Sequence, residues 1–250
     1  MPTFYTTIGP FTLQSFTLFL MFSILVSAGI NLAHAGKNRG KWADVYLAVL
    51  ASGVIGGRAG HVLLHWEYFT YNTGEIWRLN SGGFDWHGAV FGGLIGLHLA
   101  ARWQRINAAE LLDSLALALP LIALAAWWGC LAANCGYGAE VDSLANYPSW
   151  MVSETRDVYG LPAPRYNTQL FGFIWSAFLF GLAAVMRWRG WLVYRQFPSI
   201  LALMSLSMFI IGFWRGDYAI IIAGLRADQW VDAGILLLAI SQLARNHHAA

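Results

Sequence analysis

The chain has 250 residues, of which 58% are hydrophobic and only 11% charged, against roughly 45–50% and 25% in an ordinary soluble domain. Such a chain cannot cover itself with a normal hydrated surface, so it reads as a membrane protein. Fifteen basic and thirteen acidic residues leave a net charge of +2, too small and too dispersed for the phosphate neutralisation that nucleic-acid binding requires, and no nucleic-acid partner is expected.

In chain order, residues 1–10 carry no Lys or Arg, so they lack the charged start of a cleavable signal peptide and the first span is expected to be retained. Seven stretches then approach the length needed to cross about 30 Å of hydrocarbon. They are residues 11–33, 44–66, 86–103, 111–131, 168–186, 198–214 and 229–243, the third and seventh being short. No repeat, low-complexity tract or long linker divides them, so residues 1–250 are expected to form a single, all-α, polytopic domain with about seven transmembrane helices.

Basic residues set the orientation. Lys37, Arg39 and Lys41 follow the first span, Arg102 and Arg105 the third, Arg187, Arg189 and Arg195 the fifth, and Arg245 the last. The alternate loops hold Arg78, Arg156, Arg165, Arg215 and Arg226, diluted by Glu67, Glu75, Asp85, Glu140, Asp142, Glu154, Asp157, Asp217 and Asp228. The N-terminus is therefore expected outside and the C-terminus in the cytoplasm. The longest connection, residues 134–167, becomes a small external head between spans four and five. Cys130 and Cys135 are too few for a disulfide framework and have no zinc-site spacing; whether they bond is left open.

Ionisable residues within spans are costly and mark functional candidates. Arg58, His61 and His65 fall in span two, His87 at the start of span three, Asp113 in span four and Asp232 in span seven. Asp113 has two readings, a buried ion pair with Arg58 or a functional carboxylate. His61 and His65, four residues apart on one helical face, either ligate a metal or tetrapyrrole or bond to neighbouring helices near the interface. No cofactor is assigned.

Several runs resemble the prolipoprotein diacylglyceryl transferase family. They are Gly56-Gly57-Arg58-Ala59-Gly60-His61, Gly82-Gly83-Phe84-Asp85-Trp86-His87-Gly88 and Gly92-Gly93-Leu94-Ile95-Gly96. Lesser marks follow in the same order: Ile8-Gly9-Pro10, Asp113 with Pro120-Leu121-Ile122, Gly129-Cys130 through Gly138, Gln169-Leu170, and Phe213 to Asp217. The resemblance covers nearly the whole chain. It implies a bacterial inner-membrane protein whose lipid partner is phosphatidylglycerol and whose relatives move its diacylglyceryl group onto a lipobox cysteine thiol. That reaction needs a base for the thiol and cationic contacts for the departing glycerol phosphate. By position, the resemblance makes His87 the catalytic histidine and places Arg58, Arg215, Asp113 and Gln169 in the lipid- or phosphate-binding set, to which Arg165 is added as a substitute phosphate contact. The thiol belongs to the substrate, so Cys130 and Cys135 inherit no nucleophilic role.

Departures from the family pattern cluster at its polar positions. Trp127 stands where an arginine is expected, and Cys130 and Cys135 fall within the altered segment after it. Met208 and Gly212 replace a second arginine and a glutamate, Phe16 replaces a tyrosine, Tyr166-Asn167 a histidine-proline pair, and Gly172 another glutamate. The expectation is a catalytically degenerate relative that holds lipid or docks on other membrane subunits through small residues of span two. The alternative is an active transferase with His87 as base. A transporter would place paired ionisable groups in repeated halves, and no repeat is present.

Overall fold

The computed structural model describes residues 5–8, 11–79 and 82–245, and only the backbone of those before residue 17. Eight helices account for most of them: α1 (Ser15–His34), α2 (Arg39–Leu64), α3 (Trp66–Tyr71), α4 (Trp86–Gln104), α5 (Ala108–Ala133), α6 (Thr168–Arg189), α7 (Gln196–Gly212) and α8 (Ala227–Arg245). Every one of the seven expected spans coincides with one of the long helices. Four segments are long and apolar enough to cross a membrane, namely Thr17–His34, Gly36–Leu64, Ala108–Ala133 and Thr168–Arg189. The protein is thus a mainly helical membrane protein.

The strands form three antiparallel hairpins: β1 (Tyr5–Ile8) with β2 (Phe11–Gln14), β3 (Val152–Arg156) with β4 (Pro162–Tyr166), and β5 (Ile221–Ile222) with β6 (Leu225–Arg226). The first corrects the expected start of span one, since residues 11–14 are strand and the helix begins at Ser15. Tyr5, Thr6, Thr7 and Ile8, then Phe11 and Thr12, are all aromatic or β-branched and suit a pleated ribbon better than a helix.

The chain packs as two compact units, residues 28–112 and residues 1–27 with 113–250. In the first, α2 and α4 meet backbone to backbone. A Cβ at Gly56 would lie 2.3 Å from the Gly88 carbonyl oxygen, one at Gly92 2.3 Å from that of Ser52, and one at Gly96 2.0 Å from Ser52 Oγ. Small residues at four-residue spacing on both helices make this approach possible. The small-residue face of span two is therefore filled by α4, inside the fold. Asp85 starts α4 as its N-cap, accepting from the Gly88 N–H at 2.6 Å.

In the second unit, the Asp113 carboxylate of α5 receives the backbone N–H groups of Tyr194, Gln196 (3.0 Å) and Phe197 (3.3 Å) at the start of α7. These donors have no partner within the helix, and a negative charge suits a helix N-terminus. Residues 134–167 form a small folded segment rather than a bare loop. It begins with a disulfide between Cys130 and Cys135. Thr168 Oγ1 donates to the Gly136 carbonyl at 2.7 Å and Gln169 Nε2 to that of Cys135 at 2.9 Å, pinning the start of α6 to this turn.

Candidate functional site

In the unit of residues 28–112, α2 and the loop before α4 bring Arg58, His61, Asp85 and His87 together. Arg58 is buried, and its guanidinium donates to four backbone carbonyls: Glu75 at 2.5 Å, Gly82 at 2.7 Å, Ile76 at 2.8 Å and Gly83 at 3.0 Å. A planar fork of five N–H donors is the side chain that can serve so many acceptors at once. The arrangement makes Arg58 the staple of the loop ahead of α4. Gly83 lies in the left-handed region (φ 76°), and a Cβ there would meet His61 Nε2 at 2.5 Å and Arg58 Nη1 at 2.9 Å.

His61 and His65 stack on one another with ring centroids 4.4 Å apart, and His65 Nδ1 lies 3.0 Å from the His61 carbonyl oxygen. His61 also meets the edge of Phe69. Among the described residues no group of three or more His, Cys, Asp or Glu side chains converges as a metal site.

Asp85 has its backbone N–H on the Gly57 carbonyl at 2.8 Å, and its side chain lies in the space left by Gly60, where a Cβ would come within 2.8 Å of Oδ1. Its second oxygen faces His87 Nδ1 at 3.7 Å, with both side chains mostly buried. Burial pushes the Asp85 carboxyl up, but the His87 ring and the Gly88 N–H outweigh it and hold the carboxyl below its ordinary value. In the sequence Asp85 stands among the outer acids and inside the run from Gly82 to Gly88, and neither placement announces the dyad. The run Asp85-Trp86-His87-Gly88, an N-cap residue three before a glycine, was the available signal.

In the other unit, Arg165 is buried against Tyr137, with its guanidinium 4.9 Å from the ring centre, and pairs with Glu140 at 2.6 Å and Asp157 at 3.4 Å. Arg215 pairs with both oxygens of Asp217 and with Asp228 at 3.2 Å. Arg226 joins the same two carboxylates, at 3.5 and 3.1 Å. Burial opposes the Arg215 charge, but Asp217, Asp228 and Asp232 outweigh it and raise its proton affinity above the ordinary arginine value. Each expected phosphate-binding arginine of this unit therefore faces at least two acids. Arg226 and its carboxylate pair went unassigned in the sequence, although Arg226-Ala227-Asp228 repeats the short Arg-x-Asp spacing of Arg215-Gly216-Asp217.

The substituted positions are packed, not open. Trp127 is 8% exposed, and its indole occupies the space above Gly172, where a Cβ would lie 2.1–2.4 Å from ring atoms Cε2, Cδ2 and Nε1. The same ring lies under Gly136, next to the disulfide. Met208 is half-buried on α7. Beside Gly212 lies Gln229, with Cγ 2.7 Å from an added Cβ, whose amide donates to the Phe209 carbonyl at 2.9 Å and accepts from the Arg226 N–H at 3.0 Å. Asp113 caps α7 and Arg58 staples the loop ahead of α4. The side chain of Phe16 lies outside the described residues.

Comparison with known proteins matches the family model for prolipoprotein diacylglyceryl transferase to residues 3–245. A phosphatidylglycerol-prolipoprotein diacylglyceryl transferase 2 of Clostridium perfringens is 28% identical over 219 residues, covering 83% of this chain and 82% of the relative. A phosphatidylglycerol-prolipoprotein diacylglyceryl transferase of Streptococcus pneumoniae strain Hungary19A-6 is 23% identical over 231 residues, 91% and 84% of the two chains. With the ordered motifs, the glycine-packed α2–α4 pair and a match running through both units, the chain belongs to the prolipoprotein diacylglyceryl transferase family.

Proposed function

We propose that this chain is a lipid-holding member of the family that no longer draws diacylglyceryl groups from phosphatidylglycerol. The observation that carries the proposal is the contact between Trp127 and Gly172. Where the family resemblance implies an arginine and a glutamate, this chain has a large apolar ring and a residue without a side chain, and the ring fills the space a side chain at 172 would need. Met208 and Gly212 of α7, with Gln229 of α8 beside Gly212, repeat the exchange. A hydrogen bond to a charged group contributes about 1.5–3 kcal/mol, so two lost phosphate-clamping arginines remove roughly 3–6 kcal/mol. Falling on the transition state, that loss slows transfer about 10²- to 10⁴-fold. The small residues of α2 that pointed to helix docking are occupied by α4, so lipid holding is the role proposed.

Orientation and site belong to the same reading. The disulfide favours an oxidising compartment for the end of α5, in line with basic residues on the opposite loops, an outside N-terminus and the bacterial inner membrane. In this reading α4, α7 and α8 also cross, giving seven spans, and both compact units serve one lipid-handling domain. The purified protein, in vesicles containing phosphatidylglycerol and a lipobox peptide, is expected to leave the peptide unlipidated, while phospholipid co-purifies. Turnover within about tenfold of an active relative would overturn the proposal.

A second reading, an active transferase, is favoured by one observation, the Asp85–His87 dyad. It uses His87 as the base and Arg58, Arg165 and Arg215 as substitute phosphate contacts. Each of those arginines is already engaged by carbonyls or carboxylates, which is why this reading stands second.

A further inference from the structure

We propose that Asp85 is a positioning residue for His87: it holds the imidazole in the tautomer with the proton on Nδ1. This goes beyond the proposed function and is independent of which lipid is bound, because it concerns the protonation of one side chain.

The geometry leaves the Asp85 carboxylate little freedom. Its backbone N–H is tied to the Gly57 carbonyl, its side chain sits in the Gly60 notch, and Oδ1 is held by the Gly88 N–H at 2.6 Å. With Oδ1 so used, Oδ2 is left facing His87 Nδ1 at 3.7 Å. A carboxylate beside one ring nitrogen favours a proton there and fixes the tautomer and ring orientation. The same relation between acid and imidazole recurs in catalytic triads.

Within the unit of residues 28–112, other charges near the dyad sit on α2 and the preceding loop. The Arg58 guanidinium and the His61 ring both lie against Gly83, His65 stacks on His61, and Glu75 turns its carboxylate to Tyr68 and Arg78. The Asp85 carboxylate lies within ion-pair distance of His87 Nδ1. The Arg58 staple contributes by fixing the loop that delivers Asp85 and His87 to the start of α4.

The test reads the tautomer by nitrogen-15 NMR of histidine-labelled protein in lipid nanodiscs, with the His87 signal assigned by its loss in His87→Gln. The wild type is expected to show the Nδ1–H form. Asp85→Asn keeps an N-cap acceptor for Gly88 and so preserves the helix start, yet removes the charge. It is expected to lower the ratio of Nδ1–H to Nε2–H forms about tenfold, and Asp85→Glu is expected to restore it. A wild type found mainly as Nε2–H overturns the proposal, as does an Asp85→Asn ratio equal to that of the wild type. Neither measurement needs transferase activity, so failure of the lipid-holding reading would show separately, as lipidated peptide in the transfer assay.

Discussion

Gly172→Ala puts the packing of the lost clamp site to a quantitative test. An added methyl would lie 2.1–2.4 Å from three atoms of the Trp127 indole, where carbon contacts normally settle at about 3.5–4.0 Å. The ring is rigid and buried, so it cannot swing aside like a long flexible chain. Overpacking of this kind costs about 1–3 kcal/mol. Alanine in a helix gains about 0.5–1 kcal/mol over glycine, leaving a net loss of up to about 2.5 kcal/mol. Trp127→Ala alone costs about 3–5 kcal/mol. In that background the clash is gone, and Gly172→Ala should turn stabilising by about 0.5–1 kcal/mol. The cycle thus predicts a coupling of about 1–3 kcal/mol between the two positions, the clash term alone. Thermal unfolding in detergent, followed by circular dichroism, reads it as a change of sign: Gly172→Ala lowers Tm with the tryptophan present and raises it with the tryptophan absent. An equal increase in Tm in both backgrounds would refute the placement of the indole over Gly172, and with it the main support for a closed clamp.

Arg58→Lys should speed proteolysis between residues 73 and 85 and lower stability by about 2–4 kcal/mol, because a single ammonium cannot serve four dispersed carbonyls; unchanged protease resistance would count against the staple. Asp85 predicts a pH dependence with a defined sign. Its carboxyl is held below the ordinary value, so its stabilisation is fully present above the unfolded pKa of about 3.9 and is lost as pH falls through the folded value. The stability gap between wild type and Asp85→Asn should therefore be constant near neutrality and close in acid, and a gap that widened below pH about 4 would contradict the dyad. Cys130 and Cys135 should resist a maleimide gel-shift reagent in acid-quenched cells until reductant is added, whereas ready labelling without reductant would place that end of α5 in a reducing compartment.

The sequence by itself determined the membrane class, the seven helical segments and the family. Each of these depends on properties summed along the chain: low charge, apolar length, and glycines at four-residue spacing in Gly56-Gly57, Gly60, Gly88, Gly92 and Gly96. It also marked Trp127, Met208, Gly172 and Gly212 as departures from the family pattern. It did not show that Trp127 and Gly172 touch, since they lie 45 positions apart, and only the packing of α5 on α6 makes them complementary in size. The role of Arg58 was hidden for a similar reason: its four acceptors are backbone carbonyls, and no side-chain type announces them. Asp113, left between two readings by its place in a span, caps a helix that starts 83 residues further on. Asp85 looked like one more outer acid until the Gly57 and Gly60 contacts fixed its direction toward His87. Composition and periodicity specify which segments leave water, because transfer free energy is nearly additive along the chain. Which polar groups satisfy one another is set by directions and distances of a few ångströms, and only the tertiary structure decides those.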